Sequence, residues 1–399
     1  MILATLGSNK LVTTLDAIMT ELFTGIRPDK ILILSEEARE LDLTKIMKSF
    51  GINAETKVLE LGVGINNWRE KVKDISIDVA DITPGRKYMA IAVLNYSQAK
   101  EVRYAYLKEE GKGYHIFGYV PLQEITVFDV RKGTSVSYDP PKTLPNLPKK
   151  VDIEVESLKA LVNLYSLLGK VDYDEDFEEL CKLRSGGVRF KEEEEIREYV
   201  KKGYFFLADV NAYVHLGERL AKITWDRENG PRLLASRSTY NELLRLTKST
   251  QKGEDPKFFL AMSSYRRIHK QVPVSESDRG SDVALIDEAK ALKKELPAPL
   301  AVISGDLGVR RSGVSQGVEV ILLHDRTKGQ SDVGEFLFCG SFYKNIEISV
   351  DGEPFARVLK SVFPDEKKVT VETLKSEYNY AYVLSQLEET MKNKNEYRG

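Results

Sequence analysis

The chain is poor in cysteine, in histidine and in net charge. Among 399 residues the only cysteines are Cys181 and Cys339, and there are four histidines. The two cysteines stand far apart, outside any Cys-x-x-Cys or Cys/His spacing, which argues against a zinc site. So little cysteine fits a reducing cytoplasm. Charged residues make up 30% of the chain, yet the net charge is only −2. No global basic excess is available, so a nucleic-acid surface has to be a local patch. No apolar run approaches the roughly 18 residues of a membrane helix. The opening stretch MILATLGSNKLVTTLDAIM lacks the basic start of a signal peptide and is broken by Gly-Ser-Asn-Lys. These absences predict a cytoplasmic protein with no membrane partner. Neither G-x-G-x-x-G nor G-x-x-x-x-G-K-[ST] occurs, so an ordinary dinucleotide site or P-loop is not supported. No internal repeat of solenoid period is present.

What is present is an α/β pattern, met twice. The length suggests two or three domains, and 42% hydrophobic residues are ample for their cores. MILATL, KILILS, TKVLEL and ISIDVADI read as strands; KLVTTLDAIMTELF and EARELDLTKIMKSFG read as helices, the second closed by Gly51. Strands apolar throughout and separated by helices predict a parallel sheet covered on both faces. VRYAYL, YHIFGYV and EITVFDV then read as antiparallel strands finishing a first domain over residues 1–140. YDPPKTLPNLPKK, with four prolines, reads as an extended spacer opening a helical connector over 141–202. Its acidic run at 192–195 reads as a solvated helix face. A second α/β domain with a parallel sheet is expected over 203–345. A tail over 346–399 follows, with a helix across TVETLKSEYNYAYVLSQLEETMKN.

In an open parallel sheet, ligands bind beyond the carboxyl ends of the strands. Two loops stand at such ends, TLGSNK and DITPGRK, and each precedes a helix. Helix N-termini attract anions, and Lys10, Arg86 and Lys87 add charge-assisted bonds. A Pro-Gly turn followed by a cation is also an ordinary solvated turn; it is the pairing of two such loops at one edge that points to a phosphate-bearing ligand.

ATLGSN together with DITPGRKYM resembles the two loop motifs of CARF domains, the Rossmann-like sensor domains of CRISPR-associated proteins. Asp81, Thr83, Gly85, Lys87 and Met89 match the family's second motif; Pro84 and Arg86 stand where it has Gly and Thr. The resemblance covers about 130 residues. It implies a homodimer whose cleft binds a cyclic oligoadenylate through Thr5, Ser8, Asn9 and Lys10 of the first loop and Gly85, Arg86 and Lys87 of the second. Some members also cleave that ligand, so a ring nuclease stays open.

The second domain carries spaced carboxylates. FFLADVNAYVHL ends a strand in Asp209, RSTYNELLRL sets Glu242 on a helix, SDVALIDEAKAL opens a helix with Asp282, and LAVISGDLGV ends a strand in Asp306. Carboxylates held close together repel unless a cation sits among them, and Mg²⁺ or Mn²⁺ takes oxygen ligands. Such ions activate water for phosphodiester cleavage. Each residue alone has a plain reading, Asp282 as a helix cap. The ordered set resembles the PIN superfamily of metal-dependent ribonucleases, leaning toward its NYN-type branch, over residues 203–325. It implies Asp209, Glu242, Asp282 and Asp306 as catalytic metal ligands and single-stranded RNA as substrate. GDLGVRR replaces the family's G-D-x-D-F, which leaves a non-catalytic RNA- or partner-binding domain open.

Arg266, Arg267, His269 and Lys270, beside Tyr265, are candidates for guiding RNA, or a solvated cationic loop. Arg310 and Arg311 are candidates for phosphate contact, and His215 reads as packed or solvated. No Arg precedes a histidine at the spacing of HEPN ribonucleases, and the Glu366-to-Lys368 E-x-K has Asp365 too close to serve it. The joined reading is a cyclic-oligoadenylate-activated ribonuclease of type III CRISPR systems.

Overall fold

A computed structural model describes the chain except residues 39, 175–178, 250–254, 271–281, 362–366 and 396–399, and the side chains of 282 and 393–395. It divides into two compact units. Unit 1 comprises Met1–Asp174, Ile346–Leu359 and Lys368–Gly399; unit 2 comprises Glu175–Asn345 and Lys360–Lys367.

Unit 1 opens with β1 (Ile2–Leu6), α1 (Leu11–Phe23), β2 (Lys30–Ser35), α2 (Thr44–Ser49), β3 (Glu55–Glu60), α3 (Ile65–Lys71), β4 (Val79–Asp81), α4 (Lys87–Tyr96), β5 (Glu101–Tyr106), β6 (Thr126–Asp129) and β7 (Thr134–Val136). These seven strands form one sheet in the order 3-2-1-4-5-6-7. The first five are parallel; β6 and β7 run antiparallel. The apolar runs of β1 and β2 are buried almost end to end, as central parallel strands require. Helix α1 buries Leu15, Ile18, Met19 and Leu22 at the three- and four-residue spacing of one helix face. Trp68 is fully buried, and its indole N–H donates to Gly62 O at 2.7 Å.

Several expectations are corrected here. VRYAYL pairs antiparallel with β6 as expected, but on its other side it joins β4 in parallel, because the α4 crossover carries the chain back to the same end of the sheet. YHIFGYV is not a strand; Ile116, Phe117 and Val120 are buried as loop anchors. The second helix is shorter than expected: α2 covers only Thr44–Ser49, with Ile46 and Met47 buried on it.

The proline stretch is not a spacer. Its backbone is stitched into unit 1: Leu144 N–H donates to Ser49 O, Tyr380 O–H to Pro141 O, and the Asn379 amide to Pro148 O. Proline lacks an N–H but keeps its acceptor, so a proline-rich segment can be pinned by donors from elsewhere. Beyond it come β8 (Lys150–Glu154), α5 (Val155–Tyr165) and β9 (Val171–Tyr173). They join the C-terminal segment in a second sheet, described below, so no unit boundary falls at 140 and unit 2 begins at Glu175 rather than 203, while its main stretch ends at Asn345, where the second domain was expected to end.

Unit 2 runs through α6 (Glu179–Ser185), β10 (Val188–Phe190), α7 (Glu192–Lys201), β11 (Phe205–Ala208), α8 (Val210–Leu216), α9 (Arg219–Ile223), β12 (Trp225–Asp226), β13 (Gly230–Pro231), α10 (Arg237–Ser249), α11 (Lys257–Ile268), α12 (Asp282–Glu295), β14 (Leu300–Ser304), α13 (Leu307–Ser315), β15 (Glu319–Leu322), β16 (Arg326–Lys328) and α14 (Val333–Ser341). β11, β14 and β15 form a parallel sheet in that order, and Leu233 bridges to Phe206 on the outer side of β11. The predicted parallel α/β character therefore holds for this unit. The acidic run at 192–195 is not simply solvated. Glu193 is buried, accepting from Phe190 N–H and pairing with Arg219, while Glu192 accepts from the N–H groups of His324 and Asp325. Cys181 and Cys339, read as separate, form a disulfide joining α6 to α14. Low cysteine content is thus no argument for a reducing compartment in this chain.

The C-terminal segment returns as β17 (Ile346–Val350), β18 (Glu353–Val358), β19 (Lys368–Thr373) and α15 (Tyr380–Asn395). The antiparallel order is 8-19-18-17-9, so the chain either side of unit 2 closes one five-stranded sheet. TVET, the start of the stretch predicted helical, lies in β19, whose alternating burial matches a strand.

Candidate functional site

In unit 1 the strand order reverses between β1 and β4, because β1 feeds β2 on one side and β4 feeds β5 on the other. The loops after β1 and β4 are the two singled out by sequence. They flank one cavity of about 400 Å³, whose lining includes Ser8, Thr83, Gly85, Arg86 and Lys87. That volume lies in the range of small-molecule sites.

The second loop is built by its own motif. The Asp81 carboxylate accepts from Thr83 N–H at 2.7 Å, and the Thr83 hydroxyl accepts from Ala105 N–H at 2.8 Å, tying the loop to β5. Gly85 has φ +87, and a Cβ there would stand 3.0 Å from Leu6 Cβ and Met89 Sδ. Only glycine fits both the backbone and the space. Arg86 then caps α4, its N–H pointing at Met89 Sδ. The Arg86 side chain pairs with Glu36 at 3.5 Å, and Glu36 also accepts from the Tyr88 hydroxyl.

The first loop splits. Ser8 lines the cavity, its N–H donating to Thr14 Oγ1 and its hydroxyl accepting from Lys10 N–H. Asn9 is exposed and is not part of the lining. Lys10 stands over the Tyr114 ring at 3.3 Å, and it is Tyr114 that lines the cavity. Thr5 lies inside β1, buried, opposite Asp81, and does not reach the cavity. A residue within a central strand faces a covering layer, which removes Thr5 from direct contact.

Beneath the loops lies a buried charge group. Arg103 donates to Glu21 Oε2 and to Glu101 Oε2, each at 2.7 Å. Burial, and then the neighbouring Asp81 charge, pushes Glu21 up to about 8; burial raises Asp81 as well. Sequence reasoning missed this group and also the part of the cavity lining formed by Thr13, Asp16, Ala17 and Thr20 of α1 and by Tyr104. Their spacing of three, one and three reads equally as a helix face turned to solvent, so no signal marked them.

In unit 2, Asp209 and Asp306 follow the adjacent parallel strands β11 and β14 and cap α8 and α13. Asp209 Oδ1 accepts from Ala212 N–H at 2.7 Å; its Oδ2 accepts from the Ser304 hydroxyl at 2.5 Å and from Gly305 N–H at 3.3 Å. Ser304 Oγ in turn accepts from Asp306 N–H at 2.9 Å, so one hydroxyl links the two strand ends. Thr239, at the start of α10, donates to Ala208 O at 2.7 Å. Glu242 lies one turn further along that helix, near Arg245 at 3.9 Å. Glu288 of α12 holds the α10 N-terminus through the Ser236 and Ser238 hydroxyls and Arg237 N–H, a fixing residue that sequence reasoning missed. The Asp282 side chain is outside the described set. Among the described residues no group of three or more His, Cys, Asp or Glu is placed to hold a metal ion.

The cationic set splits as well. Tyr265 is fully buried, donating to Ser236 O. His269 is buried against the Tyr213 hydroxyl at 2.7 Å, and burial lowers it to about 4. Arg267 is paired with Glu218 and bonded to Ser263. These three residues are tied into the unit, while Arg266 and Lys270 of the same set are exposed. Arg310 and Arg311 are exposed on α13, just past Asp306. His215 packs near Gly305, with Nδ1 buried and unbonded among described residues, and burial lowers its pKa.

No helix is long and apolar enough to cross a membrane among the described residues. No family model matches the chain, and no curated protein matches it.

Proposed function

We propose that the protein is a ligand-activated ribonuclease, with unit 1 sensing a cyclic oligoadenylate and unit 2 cutting single-stranded RNA. The observation that carries this is the meeting of two separate loops around one cavity at the switch point of a parallel sheet, with Arg86 and Lys87 on its rim. A phosphate-bearing ligand suits that rim: cations, a helix N-terminus and a glycine turn lie together there. The resemblance to CARF domains names the ligand class and a homodimer as its receptor. Activation requires the ligand to bind the active state better than the resting one.

In unit 2, Asp209 and Asp306 stand at adjacent strand ends and share Ser304, which supports the PIN-like reading of that edge. Asp209, Glu242, Asp282 and Asp306 would supply carboxylate oxygens, the donor type that Mg²⁺ or Mn²⁺ prefers, although no three of the described carboxylates are gathered into such a site. When bound, such an ion activates water and steadies the leaving oxygen. Arg310 and Arg311 then offer contacts to the RNA phosphates.

A second reading has its own support. Both Asp209 oxygens are taken by protein donors. A unit that recruits RNA or a partner without cutting it needs nothing more from that carboxylate. RNA cleavage measured with Mn²⁺, with and without cyclic oligoadenylates of several ring sizes, separates the two. Ligand-stimulated cleavage that disappears in Asp209→Asn, with ligand affinity unchanged, supports the nuclease. RNA binding without cleavage under every condition supports the second reading and overturns the first.

A further inference from the structure

The cavity of unit 1 is chemically two-ended. Ser8, Arg86 and Lys87 lie on the side where the loops end, and the stripe Thr13, Asp16, Ala17 and Thr20 of α1 forms another wall. Positions three and four apart on a helix share a face, so this wall is one surface. It carries a single acid, Asp16; Glu110, the other acid of the lining, is exposed.

Glu21 Oε1 and Asp81 Oδ2, like Asp16 Oδ1, lack a hydrogen-bond partner among the described residues, but the second oxygen of each of those two acids is held. Glu21 has Arg103, Asp81 has Thr83 N–H, and Glu36 has Arg86 and Tyr88. Asp16 Oδ1 is buried and has no hydrogen-bond partner among the described residues. Burial pushes its carboxyl well above the ordinary range, which favours the protonated form. A neutral carboxyl presents an O–H donor beside a carbonyl acceptor. Buried polar groups in native proteins are satisfied, so this one awaits something that fills the cavity.

The missing partner must offer an acceptor and a donor side by side. A phosphate offers acceptors only and suits the Arg86 and Lys87 side instead. A nucleobase edge offers both: adenine presents its N6 amino donor next to a ring-nitrogen acceptor. Tyr104 and Tyr114, both partly exposed in the lining, add faces on which a flat base can stack.

We propose that Asp16 is the base-reading residue of this cavity, pairing its carboxyl with the donor–acceptor edge of adenine while Ser8, Arg86 and Lys87 hold the adjoining phosphate. This rests on the nucleotide-sensing reading of unit 1 and extends it to a residue outside both loop motifs.

The test is calorimetric binding to the full chain. The probes are cyclic tri-, tetra- and hexa-adenylate, with inorganic pyrophosphate as a base-free control. Asp16→Ala removes both hydrogen bonds and is expected to weaken the best-bound adenylate about 10–100-fold, leaving pyrophosphate unchanged. Asp16→Asn keeps a donor beside an acceptor and is expected to stay within about threefold of the parent. Thermal unfolding of both variants is expected to be unaltered or raised, because an unpartnered buried acid is removed. Equal adenylate affinity in the parent and Asp16→Ala overturns the inference and leaves nucleotide sensing standing. Loss in both variants, with the fold intact, also overturns it, since a negative charge would then be the requirement. If the parent binds pyrophosphate but no adenylate of any ring size, the inference and the sensing reading fall together.

Discussion

Replacing Glu21 by Gln should flatten the pH dependence of unit 1's stability. Glu21 is fully buried, and its carboxyl is raised from 4.5 to about 8, by burial first and then by the Asp81 charge. The folded state therefore keeps a proton that the unfolded chain releases above about 4.5. Stability is greatest below that value, falls as pH rises toward about 8, and is level beyond it. Each pKa unit corresponds to about 1.4 kcal/mol, so the whole interval amounts to an upper figure of roughly 5 kcal/mol. Acids of unit 1 that are lowered, such as Asp42, Asp78 and Asp129, change their contribution only at more acidic pH and leave this window clear. Asp16, Asp81 and Glu388 are raised and add a decline of the same sign; Asp81 interacts with Glu21, so the difference between parent and variant reports the Glu21–Asp81 pair. The assay is urea unfolding at pH 5, 6.5 and 8. Of the two tryptophans, Trp68 is buried in unit 1 and Trp225 lies in unit 2, so a Trp225→Phe background makes Trp68 fluorescence the reporter. A parent whose stability is flat or rising from pH 5 to 8 refutes the reasoning. So does a Gln variant with the parent's slope.

Gly85→Ala should cost unit 1 about 1–2 kcal/mol, because a Cβ meets Leu6 and Met89 at 3.0 Å on a left-handed backbone; an unchanged urea midpoint refutes this. Glu36→Ala releases Arg86 from an ion pair worth roughly 0.2–1 kcal/mol, so pyrophosphate affinity should rise about two- to fivefold in calorimetry, and unchanged or weaker binding argues against Arg86 as a phosphate contact. Ser304→Ala removes the hydroxyl shared by Asp209 and Asp306 N–H. Unit 2 should lose about 1–3 kcal/mol in thermal unfolding, with any RNA cleavage falling at least tenfold; full activity in that variant would separate the strand-end link from the chemistry.

The parallel strands were legible because burial on both faces leaves an unbroken apolar signature, and KILILS is β2 residue for residue. DITPGRK was legible because its geometry is local: Asp81, Thr83 and Gly85 each act within a few residues or on the next strand. The second sheet of unit 1 was not. β8 and β19 are short and alternating, and they pair across more than 200 positions, Asp152 with Thr370, a distance over which local patterning carries no information. Prolines hid the same connection, since 138–150 has the composition of a linker while its carbonyls serve as acceptors for Tyr380, the first residue of α15, and for Asn379 just before it. In the candidate sites, Asp209 and Asp306 were visible as acids closing apolar strands. Asp16 was not, because nothing in a helical sequence marks the face that borders a cavity.

The five-stranded antiparallel sheet of unit 1 sets an order of assembly. Two of its strands, β8 and β9, precede unit 2 in the chain, and the other three follow it. During synthesis from the N-terminus, the main stretch of unit 2 is therefore complete while β8 and β9 still await β19 and β17. The first sheet, whose seven strands all lie within residues 2–136, can close early. The second waits for the last quarter of the chain. Until then the two waiting strands expose unpaired backbone, the part of this protein most open to mispairing.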